Sequence, residues 1–359
     1  MEHNVDKLIE EMQAYEGFIR RASIINAPFM LKGSYVSRQY FKTPNDRIPG
    51  DIDWVYLEKI DEHTTASLIF DDWATAVTEL ELNDGVKFRS FKENRFWRRI
   101  DYAMHDDFPT VNSDLKCWVN DIEINFSLDV SFNLVVEQPP VPLVYRPLNG
   151  EPFVIPRTVP LSLQVSWKIH QTLVRPRFKD LFDLMHLVQH PSFDNITLEN
   201  TLKALISECY LDEIDLNKIR LFMNYEIEGF FPNGSIYENW DYWRNDIKVD
   251  LWYRKDYRYE QANMITNESK LPINLSIFLK EFESILKKAG FNLELMKHLP
   301  LPSAEAKPIA PKPMLSQSEI EAIRISFNNF NNKKTVSKPM PASKQDNFLS
   351  RILRKIFKD

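Results

Sequence analysis

The sequence predicts an α+β fold in which strands come first, helices follow, and a flexible tail ends the chain. Up to residue 133, short runs alternate between apolar and polar residues, which is typical of strands. From Leu161 to about Lys297, apolar residues recur at helical spacing. From Leu299 to Lys344 the chain holds seven prolines and no glycine, a composition typical of linkers. Strands followed by helices favour an α+β arrangement over alternating α/β units.

The first half begins with a predicted amphipathic helix over Val5–Ile25, because its apolar residues recur every three or four positions. A short apolar run then ends at Gly33-Ser34 and predicts a buried strand followed by a tight turn. The remaining predicted helices are Tyr35–Phe41 and Thr64–Leu82. The predicted strands are Pro28–Leu31, Asp51–Leu57, Val86–Phe91, Arg95–Tyr102, Leu115–Val119 and Ile122–Asn133.

Two connections and the helical half complete the prediction. Asn120-Asp121 is a two-residue hairpin signal, although it lacks the favoured glycine. Residues 134–160 hold seven prolines and predict an irregular connection. The clearest helical patterns that follow are Leu161–Val174, Phe178–Gln189 and Leu198–Cys209.

Composition excludes several classes of protein. The 359 residues are 43% hydrophobic and include 24 Phe, 13 Tyr and 8 Trp, enough for a large core and too many for wholesale disorder. Two cysteines, Cys117 and Cys209, cannot form a disulfide framework and lack zinc-ligand spacing, so we expect buried thiols in a reducing compartment. Neither a signal peptide nor a membrane-spanning run is recognisable, which predicts a cytoplasmic protein.

Charge is distributed unevenly along the chain. The net charge is −6, but residues 299–359 hold 11 Lys/Arg against 5 Asp/Glu, so the tail carries +6 and the first 298 residues carry −12. An acidic body argues against a surface that coats nucleic acid broadly, yet it is compatible with one local basic patch.

Three carboxylates mark the predicted chemistry. Asp51 and Asp53 lie on one predicted strand, and Asp129 stands among small polar neighbours on another strand whose opposite face is apolar. Carboxylates gathered on one side of a small sheet repel each other unless a cation lies between them. Hard oxygen ligands suit Mg²⁺, and two such ions can bind a nucleotide triphosphate and activate an attacking oxygen. A solvated strand edge is the alternative interpretation of an isolated Asp-x-Asp.

Lys32, Gly33 and Ser34 are the predicted nucleotide-binding residues of the sheet. Gly33 permits close backbone approach, and the Ser34 hydroxyl with neighbouring N–H groups can bind phosphate oxygens. The order of Gly-Ser, Asp-x-Asp and a later strand carboxylate is far more specific than any one of the three. Together they predict a nucleotide site that contains a metal.

These residues resemble the nucleotidyltransferase fold of DNA polymerase β type. More narrowly, Phe29-Met-Leu-Lys-Gly-Ser34 with Gly50-Asp-Ile-Asp53 resembles the AbiEii/AbiGii toxin nucleotidyltransferases of abortive-infection and type IV toxin–antitoxin systems. Leu128-Asp-Val-Ser-Phe132 is similar to the strand that carries the third carboxylate in that family. The resemblance covers about residues 29–189. Two departures are a long segment from Ser34 to Asp51 and a glycine, Gly50, where the family has a hydroxyl residue.

The helical half adds a further similarity. Trp167-Lys168-Ile-His and Arg175-Pro-Arg-Phe-Lys-Asp180-Leu-Phe-Asp183-Leu resemble the family's lysine helix and its basic-Asp-Leu-x-Asp-Leu signature. Independently, Lys168, Thr172, Arg175 and Lys179 follow helical spacing, and Pro176 predicts that the face is split between two helices. We expect Lys168, Arg175 and Lys179 to bind the triphosphate, and Asp180 to orient Lys168 or the base. A solvated charged face is the alternative.

A basic segment between the strands suggests an acceptor surface. The predicted RNA-binding residues are Lys87, Arg89, Arg95, Arg98 and Arg99. They alternate with aromatic residues, which suits RNA backbone contacts combined with base stacking. A hairpin with one wet face and one buried face is the alternative interpretation.

The resulting hypothesis is a Mg²⁺-dependent nucleotidyltransferase toxin that transfers NMP from an NTP to an acceptor hydroxyl. The predicted catalytic residues are Asp51, Asp53, Asp129, Lys168 and Asp180, and the first three are the predicted metal ligands. The resemblance implies an RNA acceptor such as the 3′ end of a tRNA, and a cognate antitoxin. Two alternatives are a transferase that modifies a small molecule such as an aminoglycoside, and a non-catalytic scaffold that acts through its tail.

The predicted domain organisation has four parts. Residues 1–160 form the nucleotidyltransferase domain, 161–298 a helical domain that completes the nucleotide site, 299–347 a proline-rich linker with a short helical island, and 348–359 a basic amphipathic helix. The last segment has one apolar and one basic half on a helical wheel. It is predicted to dock on the acidic body, on a partner or on an anionic surface.

Overall fold

An eight-stranded mixed sheet forms the centre of the first half in the computed structural model. The structure describes residues 2–94, 98–100, 110–231, 235–245 and 271–296, together with 316, 318–322 and 325. The strands are β1 (Phe29–Lys32), β2 (Ile52–Tyr56), β3 (Val86–Phe88), β4 (Arg98–Ile100), β5 (Thr110–Val119), β6 (Ile122–Ser131), β7 (Val141–Tyr145) and β8 (Phe153–Thr158). Their order is β3-β5-β6-β2-β1-β8-β7, and β4 also pairs with β5.

The β5–β6 hairpin is the longest element of the sheet, and its sequence specifies it closely. Ile124, Phe126, Leu128 and Val130 are buried at alternate positions of β6, as predicted. Asn120 and Asp121 connect the two strands with φ values of 48° and 69°. Positive φ at both central residues matches a type I′ hairpin turn, which twists with the strands. The polar face of β6 therefore presents Asp129 from a fixed register.

Residues 134–160 are not irregular as predicted, because they contain β7 and β8. β8 lies between β1 and β7 and runs parallel to β1. Proline is tolerated in a sheet at edge strands and at bulges. Pro142 lies on the edge strand β7, and Pro156 lies where the β7–β8 register shifts. The prolines correctly indicated these irregular positions, but they also obscured the strand pattern of the residues around them.

Two helices of the first half pack beside this sheet. They are α1 (Glu2–Ile25) and α3 (His63–Glu79). Met12, Phe18 and Ile19 of α1 are fully buried in a core shared with the apolar face of β6. A four-residue helix, α2 (Ser34–Ser37), follows β1 directly and continues into a 3₁₀ turn at Arg38–Tyr40. The apolar side of the sheet is thus covered by α1, and the chemistry belongs to the other side.

A buried polar cluster joins α1 to the segment after α2 and to β7. Arg38 is fully buried, and its Nη1 donates to Glu16 Oε1 at 2.8 Å and to Tyr145 Oη at 3.0 Å. The backbone N–H of Leu148 donates to Glu16 Oε2 at 2.8 Å. Burial raises the pKa of Glu16, and the charge of Arg38 opposes that rise. Each buried charge in this cluster therefore depends on partners far along the chain.

Helices make up the second half. They are α4 (Leu161–Val174), α5 (Phe178–Val188), α6 (Asn195–Leu211), α7 (Leu216–Met223), α8 (Ile236–Asn245), α9 (Leu275–Lys288) and α10 (Leu293–Met296). Side-chain oxygens of Asp194, Asp215 and Asn274 cap the N-termini of α6, α7 and α9. A second hydrophobic core lies mainly among these helices. The division at residue 160 stays a prediction, since Leu163 and Ala204 belong to the first core.

The tail is described at only a few positions. Ser316 and Glu319 form a capping box: the Ser316 N–H donates to Glu319 Oε2 at 2.7 Å, and the Glu319 N–H donates to Ser316 Oγ at 3.3 Å. The predicted linker otherwise lies largely outside the described residues, and the basic segment 348–359 lies wholly outside them. In the described ranges, none of the helices combines the length and hydropathy that a bilayer crossing requires.

Candidate active site

Four polar residues form a row across four adjacent strands. Lys32 on β1 pairs in register with Asp53 on β2, Asp53 with Asp129 on β6, and Asp129 with Asn112 on β5. Residues in register across a sheet project from the same face. Lys32 Nζ lies 3.6 Å from Asp53 Oδ1, and Asn112 Nδ2 donates to Asp129 Oδ1 at 2.6 Å. The sheet thus places two predicted metal ligands side by side, each with a polar partner.

Gly33 brings the turn after β1 against Asp53. Its φ of 77° and ψ of −156° fall in a backbone region that is essentially restricted to glycine. A Cβ added at this position would lie 2.2 Å from Asp53 Oδ2. The Gln164 side chain on α4 donates to the Gly33 carbonyl at 3.2 Å and to Ser37 Oγ at 2.8 Å. The turn is therefore held in contact with both the carboxylate and the first helix of the second half.

The neighbouring charges that act most strongly on Asp51 are cations. Burial opposes its ionisation, but the charges of Lys179, Arg177, Lys168 and Arg47 together lower the pKa of Asp51. Lys179 and Arg177 belong to the α4–α5 region, and Arg47 belongs to the loop before β2. The helical half thus provides the positive charge that keeps Asp51 ionised.

A buried ion network connects α4 with α5. Lys168 Nζ lies 2.7 Å from Asp180 Oδ1 and 2.8 Å from Asp183 Oδ2, and both aspartates are fully buried. Arg177 Nε contacts the other oxygen of Asp180 at 2.5 Å. Burial favours the neutral lysine, but the two carboxylates raise the pKa of Lys168 instead. Asp180 is thus in direct contact with Lys168, and its predicted role in orienting that lysine stays a prediction.

The donor set of Asp51, Asp53 and Asp129 fits a divalent cation. Burial raises the pKa of Asp53, and Asp51 adds to the rise against the opposing charge of Lys32. Burial and the charge of Asp53 raise the pKa of Asp129 to about 6. A doubly charged cation would relieve this repulsion. Within the described ranges, no three Asp, Glu, His or Cys side chains are arranged so that they could hold a metal ion by themselves. Mg²⁺ generally completes its shell with water and phosphates.

Sequence comparison decides the family. Residues 19–276 match the family model described as nucleotidyl transferase AbiEii toxin, type IV TA system. The chain belongs to the AbiEii family. It is thus a nucleotidyltransferase toxin of a type IV toxin–antitoxin system, as the motifs implied. Membership implies an NTP substrate and an antitoxin partner, and nucleotidyltransferases of this family generally use a divalent metal.

The chain is also similar to several solved structures. MenT4, nucleotidyltransferase toxin Rv2826c from Mycobacterium tuberculosis H37Rv, has 12% identity and a TM-score of 0.44, over 90% of this chain and 97% of that one. JHP933 from Helicobacter pylori has 14% identity and a TM-score of 0.39, over 79% and 93%. No curated protein sequence matches the chain.

Two further predicted nucleotide-binding residues of this AbiEii chain lie next to helix ends. Arg175 is exposed and has an extended backbone at the end of α4, as Pro176 predicts. Ser34 is buried at the start of α2. Sequence reasoning did not single out Arg47, Asn112, Arg177 or Asp183. Arg177 and Asp183 lie inside the family signature quoted above, so that signature could have drawn attention to them. No such sequence signal points to Arg47 or Asn112.

The predicted RNA-binding segment is described in part. Lys87 is exposed on β3, whereas Arg89 Nε pairs with Glu93 Oε2 at 3.0 Å. Arg95 lies outside the described residues. Arg98 and Arg99 lie on β4, and Arg98 stands opposite Asn112 in the register. The β4 backbone thus runs beside the strand that carries the Asn112 partner of Asp129.

We expect Asp129→Asn to stabilise the AbiEii enzyme in EDTA above pH 6. The folded-state pKa of Asp129, about 6, exceeds the ordinary aspartate value of about 3.9, so ionisation of this group destabilises the folded state as pH rises through 6. The variant should therefore have the higher Tm at pH 8, and the difference should disappear below about pH 4. Thermal melts from pH 4 to 8 measure this. A lower Tm at pH 8 would contradict it.

Proposed function

We propose that this AbiEii-family enzyme uses Mg²⁺ to transfer NMP from an NTP to an RNA hydroxyl, with the 3′ end of tRNA as the acceptor. The carrying observation is the in-register pair of Asp53 and Asp129, each with a raised pKa, opposite cations from α4 and α5. Phosphoryl transfer requires positioning and charge neutralisation more than covalent catalysis. We propose that this reaction takes place in the cytoplasm, where NTPs and RNA coexist.

The roles of the side chains follow from their charges. Asp51, Asp53 and Asp129 would hold Mg²⁺, which supplies charge neutralisation on the triphosphate. Asp129 Oδ1 accepts a hydrogen bond from Asn112, and we also assign the Asp129 carboxylate the role of taking the acceptor proton. Lys179 and Arg175 bind the triphosphate from the helical side. Lys168, held by Asp180, orients that cationic face and faces the phosphates.

In the reaction the acceptor oxygen attacks the α-phosphorus of the NTP. The new bond joins that oxygen to phosphorus, and the bond to the leaving pyrophosphate breaks. The acceptor proton passes to a base, which we assign to Asp129. The product is an RNA extended by one nucleotide, and a tRNA with a blocked 3′ end cannot be aminoacylated. This provides a physical basis for toxicity.

The direct test is incubation of the enzyme with total RNA, Mg²⁺ and each α-labelled NTP in turn. We expect label in tRNA-sized bands with release of pyrophosphate, and no label in EDTA. Label transferred to a small molecule would establish the aminoglycoside-like alternative. Absence of transfer to any acceptor, with no pyrophosphate released, would favour the scaffold alternative.

The acceptor surface has a separate test. We expect the triple change Arg95→Ala, Arg98→Ala and Arg99→Ala to weaken RNA binding and to lower its salt slope by about 2, because about 0.7 of a counterion is released for each phosphate contact with a single strand. NTP affinity should not change. The matched control replaces three exposed lysines of the helical half, Lys203, Lys280 and Lys288, with alanine. RNA affinity that responds equally to both triple variants would refute this surface.

Two further interactions complete the proposal, one with an antitoxin and one made by the tail of the chain. The antitoxin follows from the family, and its mode of action is left to experiment. The basic segment 348–359 is proposed to dock on the acidic body, because the first 298 residues carry −12 and the tail carries +6.

A further inference from the structure

The loop that leads into Asp51 is linked to the helical half by a buried ion pair. Arg47 is only 3% exposed, and its Nε lies 3.4 Å from Asp183 Oδ1 on α5. The other oxygen of Asp183 lies 2.8 Å from Lys168 Nζ on α4. Asp183 therefore bridges the loop and the lysine helix through its two carboxylate oxygens.

The same loop is fixed at both ends by the sheet half. Arg38 Nε donates to the Pro44 carbonyl at 3.0 Å, and Arg38 Nη2 donates to Asn45 Oδ1 at 2.7 Å. The Tyr15 hydroxyl donates to the Gly50 carbonyl at 2.9 Å. The ends are thus held by α1 and the segment after α2, and the middle is held by Arg47 against α5. This long loop is the departure from compact family members noted in the sequence.

The charge on Arg47 also acts on the predicted metal ligand. Arg47 is among the cations that lower the pKa of Asp51, four residues later. A buried guanidinium is stable only when its charge is paired, so Asp183 is what allows Arg47 to remain buried in the loop that leads into Asp51. A shift of a reacting group by about 1 Å costs about 100-fold in rate. Loss of this anchor would allow a shift of that kind.

We propose that Arg47 and Asp183 are positioning residues that set Asp51 in place for catalysis. The inference rests on the proposed function only in treating Asp51 as a ligand of the divalent cation. Neither residue needs to touch the substrate. Their effect should fall on turnover and on cation binding, with little effect on NTP affinity.

The test compares Arg47→Met with Arg47→Lys in the full chain. For Arg47→Met we expect kcat, corrected for the folded fraction, to fall about 100-fold, and the KM for NTP to stay within about twofold. The midpoint of the Mn²⁺-induced rise in Tm should move to a higher Mn²⁺ concentration. Arg47→Lys keeps the positive charge and should recover a large part of both losses.

The matched control is Arg21→Met. Arg21 is equally buried, pairs with Asp84 at 2.7 Å and holds the turn before β3 through the Val86 carbonyl. Its loss should lower Tm without changing kcat per folded molecule or the Mn²⁺ midpoint. If Arg47→Met behaves in the same way, the pair is only structural and the proposal is overturned.

A second variant keeps the proposal testable if Arg47→Met does not fold. Asp183→Asn preserves shape and leaves Lys168 paired with Asp180, so it should fold and show the same loss of kcat and of Mn²⁺ response. Normal values in that variant would refute the positioning role. A wild-type protein without any Mn²⁺ response would instead refute the proposed metal site, and kcat would still decide the role of Arg47.

Discussion

Asp53→Ala is expected to abolish nucleotidyl transfer while the protein stays folded. Asp53 stands in register between Lys32 and Asp129, so its removal deletes one of the two predicted metal ligands in the row. We expect turnover to fall at least about 1000-fold, the upper range for loss of one transition-state contact. Tm in EDTA should not decrease, because burial and repulsion already raise the pKa of this carboxyl group.

Asp114→Ala provides the matched control for this change. Asp114 lies on β5, opposite Ser127 in the register, and accepts a hydrogen bond from the Ser127 hydroxyl at 2.9 Å. It is an acid two residues from Asn112 that has no predicted metal role. Transfer should persist in this variant. Near-normal transfer by Asp53→Ala itself would show that the metal site is assigned wrongly.

Gly33→Ala is expected to produce the second large effect, on both stability and activity. Its backbone conformation strains any residue with a Cβ by about 1–3 kcal/mol. The new methyl group would also collide with Asp53 Oδ2, which must move. We therefore expect a lower free energy of unfolding and about a 100-fold loss of kcat, since displacement of a reacting group by 1 Å has that cost. Urea unfolding and transfer assays measure the two effects.

Gly50→Ala separates this effect from the general cost of replacing a glycine. Gly50 immediately precedes Asp51, and a Cβ added there meets no atom within 4 Å. We expect unfolding free energy and turnover to stay close to wild type. If both glycine variants behave alike, the contact between Gly33 and Asp53 is not what constrains the site.

Local patterns predicted the sheet acids well and the contacts between distant segments poorly. The alternation of β6 placed Asp129 on the polar face because a strand repeats every two residues. β7 and β8 were missed because Pro142 and Pro156 hide strands that tolerate them only at an edge and at a register shift. Chain order also correctly separated strands from helices.

The ion pairs of the site could not be predicted without the tertiary structure. In the sequence, Arg47 is recognisable only as a cation in a loop, and Asp183 only as part of a helix signature. No spacing rule links a loop residue to a helix residue so far along the chain. That Lys168 binds phosphate stays a prediction, and its pairing with Asp180 and Asp183 depends on how α4 and α5 pack. Local sequence can indicate which residues carry charge, but packing decides which charges meet.

The buried cluster of Glu16, Arg38 and Tyr145 bears on the order in which the chain folds. Glu16 accepts hydrogen bonds from the Tyr145 hydroxyl and the Leu148 N–H, which lie 129 and 132 residues later in the chain. Strand β1 likewise cannot complete its pairing until β8, much later in the chain, has been synthesised. Contacts between such distant residues slow folding, because a long loop must close before they form. Because the proposed site takes side chains from β2, β6 and α5, we expect it to assemble only after synthesis has passed Asp183. A newly made toxin molecule should then be inactive for an interval that its own topology sets.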